Sequence, residues 1–227
     1  MADSLLRVSG LSWTPPDGAG VHGGLRDVGF SADGGEFLLI AGPSGGGKTT
    51  LLRLLAGLEE RSGGEIFLDG KETSALYPPV LRRTMALLPQ TPTVTDDTIL
   101  NNLLLPFSFK ANADLRRPDD ETLRALLAEF LLDGMDLQAN ARILSTGQRQ
   151  RLCLIRSLVL EPRILLMDEP VSALDPESRS AVEEAAQRLC LSRGACVIFV
   201  SHAGFAPTLV SPRRLVLKDG TLREETA

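Results

Sequence analysis

Residues 36 to 56 read Glu36-Phe37-Leu38-Leu39-Ile40-Ala41-Gly42-Pro43-Ser44-Gly45-Gly46-Gly47-Lys48-Thr49-Thr50-Leu51-Leu52-Arg53-Leu54-Leu55-Ala56. The run from Glu36 to Ala41 is continuously apolar after its first residue, the pattern of a buried strand. From Thr49 to Ala56 the leucines at 51, 52, 54 and 55 recur at helical spacing, and Gly57 is placed to end that helix. Between them, Gly42 to Thr49 fits G-x-x-x-x-G-K-[ST], in the strand–loop–helix setting that gives this motif its meaning. Glycines let the backbone turn several N–H groups into one concavity, and the helix N-terminus adds positive potential for a phosphate. Gly42, Pro43, Ser44, Gly45, Gly46, Gly47, Lys48, Thr49 and Thr50 form the candidate nucleotide site. Lys48 is suited to the β- and γ-phosphates, and the Thr49 hydroxyl to Mg²⁺.

Further along, Arg163-Ile164-Leu165-Leu166-Met167-Asp168-Glu169 is an apolar strand ending in two carboxylates. Side chains alternate across a strand, so the two acids are expected in different places. Asp168 suits Mg²⁺, and Glu169 suits polarising a water for attack on a γ-phosphate.

The remaining chain supports an α/β core. Strands are expected at Leu5 to Val8, Leu25 to Ser31, Glu65 to Leu68, Met85 to Leu88, Ile164 to Met167 and Ala195 to Ser201. A Pro- and Gly-rich loop is expected from Trp13 to Gly24. Ser145 to Leu160 and Pro176 to Ser192 read as helices, the second capped by Asp175 and ended by Gly194. Asp219-Gly220 between Arg214 to Leu217 and Thr221 to Arg223 is a hairpin signal. From about Asp96 to Asn140 apolar residues recur at helical spacing, with Asp119 or Asp120 as a cap. This segment reads as a helical insertion. Strands alternating with helices imply a parallel sheet covered on its faces.

Composition excludes several classes. The 227 residues are 43% hydrophobic and 23% charged, which is ordinary for a globular protein and not for a disordered one. The net charge of −5 lacks the basic excess of a duplex-binding protein, so no nucleic-acid partner is expected. Three cysteines without C-x-x-C fit reduced thiols in a cytoplasmic core. No apolar run approaches a membrane span, and no signal peptide is visible at Met1.

Leu144-Ser145-Thr146-Gly147-Gln148 resembles the signature of the ATP-binding cassette (ABC) ATPases, with Thr146 where glycine is usual. Gln90 resembles the Q-loop glutamine, Ser172-Ala173-Leu174-Asp175 the D-loop and His202 the switch histidine. Trp13 is placed like the aromatic residue that stacks on adenine. The resemblance covers nearly the whole chain. It implies a P-loop NTPase core of parallel sheet with an N-terminal antiparallel β subdomain (about 1–95 and 160–227). An inserted α-helical subdomain (about 96–159) would carry the signature, all within one domain spanning 1–227. It further implies ATP and Mg²⁺ as ligands, with Thr49, Gln90 and Asp168 at the metal. Glu169, His202 and Gln90 would act in catalysis, and Asp175 would communicate across a dimer. Ser145, Gly147 and Gln148 would contact the nucleotide of a second copy in a homodimer closed by ATP.

The stretch between Gln90 and Ser145 contains Pro106 and Pro118 and holds no long heptad repeat, which disfavours a chromosome-type ATPase. A transporter subunit is expected instead, on the inner face of the cell membrane through a separate permease. Pro106, Phe107 and Phe109 are candidate contacts with that partner. The run from Leu88 to Thr93, with Thr98-Ile99, Asn102-Leu103 and Pro106-Phe107, resembles the bacterial iron-efflux subgroup. Another substrate, such as a lipid or small nutrient, is the alternative. A P-loop kinase or other non-transport ATPase is the competing class, and it would have no need of a signature motif.

Overall fold

The computed structural model describes residues 4–15, 24–172, 174–201 and 205–225. Two sheets organise it. The larger has the order β10-β9-β3-β8-β7-β6. Its strands are β3 (Phe37–Ala41), β6 (Met85–Leu88), β7 (Ile164–Asp168), β8 (Cys196–Val200), β9 (Arg213–Lys218) and β10 (Thr221–Glu224). All neighbours from β9 to β6 are parallel, and β10 folds back antiparallel on β9. Asp219 and Gly220 make that turn with φ of 50° and 75°, as a two-residue hairpin of this twist requires. The smaller sheet is antiparallel, β2-β1-β4-β5, from β1 (Leu6–Trp13), β2 (Leu25–Ala32), β4 (Gly63–Leu68) and β5 (Lys71–Glu72).

The alternation of side chains divides the core in two. Phe37, Leu39, Leu165, Met167, Val197 and Phe199 face one side of the large sheet. There they meet α3 (Ile99–Leu104), α4 (Asp120–Glu129), α5 (Thr146–Leu158) and α6 (Pro176–Arg193). Leu38, Ile40, Ile164, Leu166, Ile198 and Val200 face the other side, against α1 (Lys48–Leu55) and the smaller sheet. Strands buried on both faces explain why β7 and β8 read as unbroken apolar runs.

Two elements differ from the sequence expectation. Strand β1 continues past Val8 to Trp13, through a register shift at Gly10. Gly10 has φ of 62°, and a Cβ on the facing Gly64 would lie 2.4 Å from the Gly10 carbonyl oxygen. This bulge breaks the alternation that a sequence reading follows. Helix α2 (Pro78–Thr84) begins with two prolines and buries only Leu81, so it has no apolar stripe to announce it.

Residues 96–140 leave and rejoin the core at one point. Thr98 and Asn140 pair as an isolated antiparallel bridge, and the Ile99 N–H donates to the Ala139 carbonyl. The fully buried Asn102 braces this junction. Its Oδ1 accepts from the Thr95 N–H at 2.8 Å, and its Nδ2 donates to the Thr98 carbonyl at 2.9 Å. Asp119 is the cap of α4. The three cysteines are buried and unpaired, and burial pushes the Cys190 thiol up to about 11. Phe130, fully buried at the end of α4, is with Phe199 one of the two largest fully buried side chains of the first core. Phe130→Ala is expected to cost about 3–5 kcal/mol, measured as a lowered denaturant midpoint with an unchanged slope.

Candidate functional site

The glycine-rich loop joins the middle of the large sheet to α1. Gly42, at φ of 153°, passes under β9 so closely that a Cβ would sit 2.1 Å from the Leu217 carbonyl oxygen. No other residue fits there. Gly45 and Gly47 take φ of 73° and 92°, and the Gly46 N–H closes the turn onto the Pro43 carbonyl at 3.1 Å. The turn directs Lys48 back under its own loop. Lys48 is buried, and its Nζ donates to the Gly42 and Pro43 carbonyls at 2.9 Å each.

The strand neighbours supply the acids. Asp168, the last residue of β7, is 4% exposed and its Oδ1 accepts from the Thr49 hydroxyl at 3.1 Å. Glu169 leaves the strand in the left-handed region, at φ of 47°, with its N–H donating to the Val200 carbonyl. Its Oε2 accepts from Gln90 Nε2 at 2.8 Å. Ser44 to Thr50, Gln90 and Glu169 line one hollow of about 240 Å³. Residues far apart in sequence therefore converge. Glycine amides, a lysine and the Thr49 and Gln90 side chains around one hollow suit a phosphate chemically and make it a candidate nucleotide-phosphate site.

The signature residues lie elsewhere on the same chain. Ser145 caps α5, and its hydroxyl oxygen accepts from the Gln148 N–H while the Gln148 side chain accepts from the Ser145 N–H. This reciprocal cap fixes the start of α5. A Cβ on Gly147 would lie 3.3 Å from the Leu174 side chain, so the signature and the segment before α6 touch within one chain. Asp175 caps α6. Ser145, Gly147, Gln148, Asp175 and Trp13 do not line the phosphate hollow. Trp13 ends β1, partly buried against the second core. His202 lies outside the described residues.

Two buried polar residues of α5 escaped the sequence reading. Gln150 donates from Nε2 to the Pro89 carbonyl at 3.3 Å, tying α5 to the residue before Gln90. Arg151 donates from Nη1 to the Phe130 and Leu131 carbonyls at 2.9 Å each, tying α5 to the end of α4. The available signal was their position. They occupy helix turns whose neighbours, Leu152, Cys153 and Leu154, are all buried.

A second hollow, of about 470 Å³, opens on the far side of Pro89. Leu87, Pro89, Pro106, Phe109 and Cys153 are among its walls. Phe109 is 58% exposed there, whereas Phe107 is core.

Comparison with known proteins agrees with this geometry. The profile of the family described as "ABC transporter" matches residues 25–172. The chain is 37% identical over 178 residues to the probable iron export ATP-binding protein FetA of Escherichia coli, covering 78% of this chain and 77% of that protein. It is 37% identical over 207 residues to the spermidine/putrescine import ATP-binding protein PotA of Methylococcus capsulatus, covering 90% of this chain and 52% of that protein. The chain thus spans about half the length of that second relative. Among solved structures, a dimeric post-hydrolysis state of the ATP-binding cassette MJ0796 bound to ADP and Pi superposes with a TM-score of 0.83. It is 28% identical, with 97% of both chains covered. The chain therefore belongs to the ABC transporter family. Within it, this is an ATP-binding subunit, an ABC-type ATPase. Among the described residues no helix is long and apolar enough to cross a membrane.

The Asp175 carboxylate is held below the usual carboxylate range, chiefly by hydrogen bonds from the Ser178 hydroxyl and N–H. A depressed folded value means that the charged cap stabilises the fold above the unfolded value and ceases to do so as pH falls through the folded one. Asp175→Ala should lower the Tm at neutral pH, and its deficit against the parent should shrink as the pH falls from neutral to below the ordinary Asp value of about 4. Thermal melts across that range measure it.

Proposed function

We propose that this chain works as one of two identical cassettes that close on ATP and drive a separate membrane permease from the cytoplasmic face. Residues 1–227 form one domain in this reading. Its catalytic core and β subdomain span about 1–95 and 160–227, and its helical subdomain spans about 96–159. The convergence of the glycine loop, Thr49–Asp168 and Gln90–Glu169 on one hollow carries the reading.

The β- and γ-phosphates of ATP are held by the loop amides and by Lys48, which exchanges carbonyl partners for phosphate oxygens. A hydroxyl, a carboxylate and an amide oxygen are hard donors of the kind Mg²⁺ takes alongside nucleotide phosphates. Thr49, Asp168 and Gln90 would hold it, and when bound it offsets phosphate charge. Glu169 orients the attacking water and accepts its proton, and His202 contacts the γ-phosphate. Trp13 stacks on adenine. Ser145, Gly147 and Gln148 stand away from the chain's own hollow at a capped helix N-terminus, suited to the γ-phosphate held by a second copy. Asp175 lies beside them and would carry the signal across the pair. The solved dimers of a similar cassette support this assembly.

The hollow beside Pro89, with exposed Phe109 on its wall, is the proposed seat of a short permease helix. Iron export is the proposed transport, supported by the similarity to FetA.

Glu169→Gln should lower ATP turnover by roughly 10²–10⁴. With ATP it should run as a stable dimer by light scattering, while the parent does not. Near-normal turnover would remove Glu169 from its role. For the permease, tagged protein taken from detergent-solubilised native membranes should bring down a polytopic membrane protein, and Phe109→Glu should lose it. Recovery of soluble partners alone would overturn the transport assembly.

A further inference from the structure

Helix α6 buries a glutamine that neither the core nor the phosphate hollow explains. Gln187 is 2% exposed and shares the helix with the core residues Val182, Ala186 and Leu189. Both ends of its amide are engaged. Oε1 accepts from the Thr208 and Leu209 N–H groups at 2.8 Å each, and Nε2 donates to the Glu183 carbonyl at 3.0 Å. The bond to Glu183 fixes the amide with its oxygen toward the chain after β8. An apolar residue would suit the helix at less cost, because a buried amide needs bonds to replace its hydration. The bonds that Oε1 makes serve a loop. A second contact holds the same stretch. Phe205 packs on Phe199 with ring centroids 4.8 Å apart and on Phe37 at 6.0 Å. Phe199 belongs to β8, so the chain that leaves this strand after Val200 is back against it by Phe205. On the near side the Ser201 N–H donates to the Ile40 carbonyl at 3.2 Å. In sequence, His202 stands between these anchors. The residues that follow it, Ala203 and Gly204, carry no polar side chain to hold a histidine.

Resting on the reading of His202 as the residue that contacts the γ-phosphate, we propose that Gln187 is a positioning residue for ATP hydrolysis. It acts through the chain from Phe205 to Leu209. Clamping two successive amides sets where that chain returns, and the ring contact of Phe205 with Phe199 sets how closely. A short segment held at both ends samples fewer conformations than one held at a single end. A reacting group displaced by about an ångström can lose on the order of a hundredfold in rate. Gln187 does not line the phosphate hollow, so its effect falls on geometry and not on nucleotide binding. It also belongs to the helix that Asp175 begins. Helix α6 therefore joins the residue proposed to signal across the pair to the segment proposed to meet the phosphate.

The test compares ATP turnover by the full chain with that of four variants, each shown by thermal melting to be folded at the assay temperature. Gln187→Met fills similar space without an acceptor. It should lower kcat by about ten- to a hundredfold while KM for ATP stays near the parent's. Gln187→Glu keeps an acceptor for both amides and should recover most of that loss. Phe205→Ala loosens the same anchor from the loop side, without touching α6, and should lower kcat in the same way. His202→Ala should lose turnover. Parent-like turnover by Gln187→Met and Phe205→Ala, with His202→Ala inactive, would overturn the inference and leave the role of the histidine standing. A raised KM at unchanged kcat would also overturn it, as would Gln187→Glu performing no better than Gln187→Met. Full turnover by His202→Ala would overturn the reading of the histidine and the inference with it.

Discussion

A buried lysine ammonium sets the terms for the site. Charge removed from water must be met by oriented polar groups, and the acceptors of Lys48 among the described residues are the carbonyls of Gly42 and Pro43. To aim two carbonyls at one ammonium, the chain must leave β3 in a conformation open only to glycine and slip beneath β9. The same turn lifts the following amides toward the hollow and starts α1 with Lys48 as its first residue. The loop is thus prepared for an anion before one arrives. In the proposed reading a phosphate takes over the role of the carbonyls, and the loop need not be rebuilt around it.

The sheet places the other half of the site. Thr49 belongs to the first turn of α1, Asp168 ends β7 with Glu169 just beyond it, and Gln90 follows β6. Because β3, β8, β7 and β6 run parallel in adjacent register, their C-terminal ends lie along one edge, where ligands of such sheets bind. Gln150 then links this edge to α5 through the Pro89 carbonyl. One helix therefore touches the neighbourhood of the proposed base at one point and begins with the signature at another.

Much of this was legible in the residues, for reasons that differ by element. The glycine loop and the Asp175 cap of α6 are local motifs whose chemistry is complete within a few positions. The buried strands β7 and β8 declare themselves because both faces are apolar. What could not be read locally was the order of the strands, in which β3 sits between β8 and β9. The contact of Gly42 with Leu217 follows from that order and is invisible without it. Helix α2 lacked an apolar stripe, and β1 was cut short by its bulge at Gly10. The pairing of Gln90 with Glu169 could be suspected only from family resemblance, since nothing in their spacing brings them together.

The left-handed backbone at Glu169 has a consequence of another kind. Ordinary strand alternation would send it away from Asp168, and the twist at φ of 47° releases it from that rule. A residue with a β-carbon held there is strained by roughly 1–3 kcal/mol, a strain that glycine would not feel. The chain is thus less comfortable at this position than it needs to be. Selection for heat resistance alone would favour a smaller residue here and discard the carboxylate. On the proposed role of Glu169, durability at this position is exchanged for chemistry.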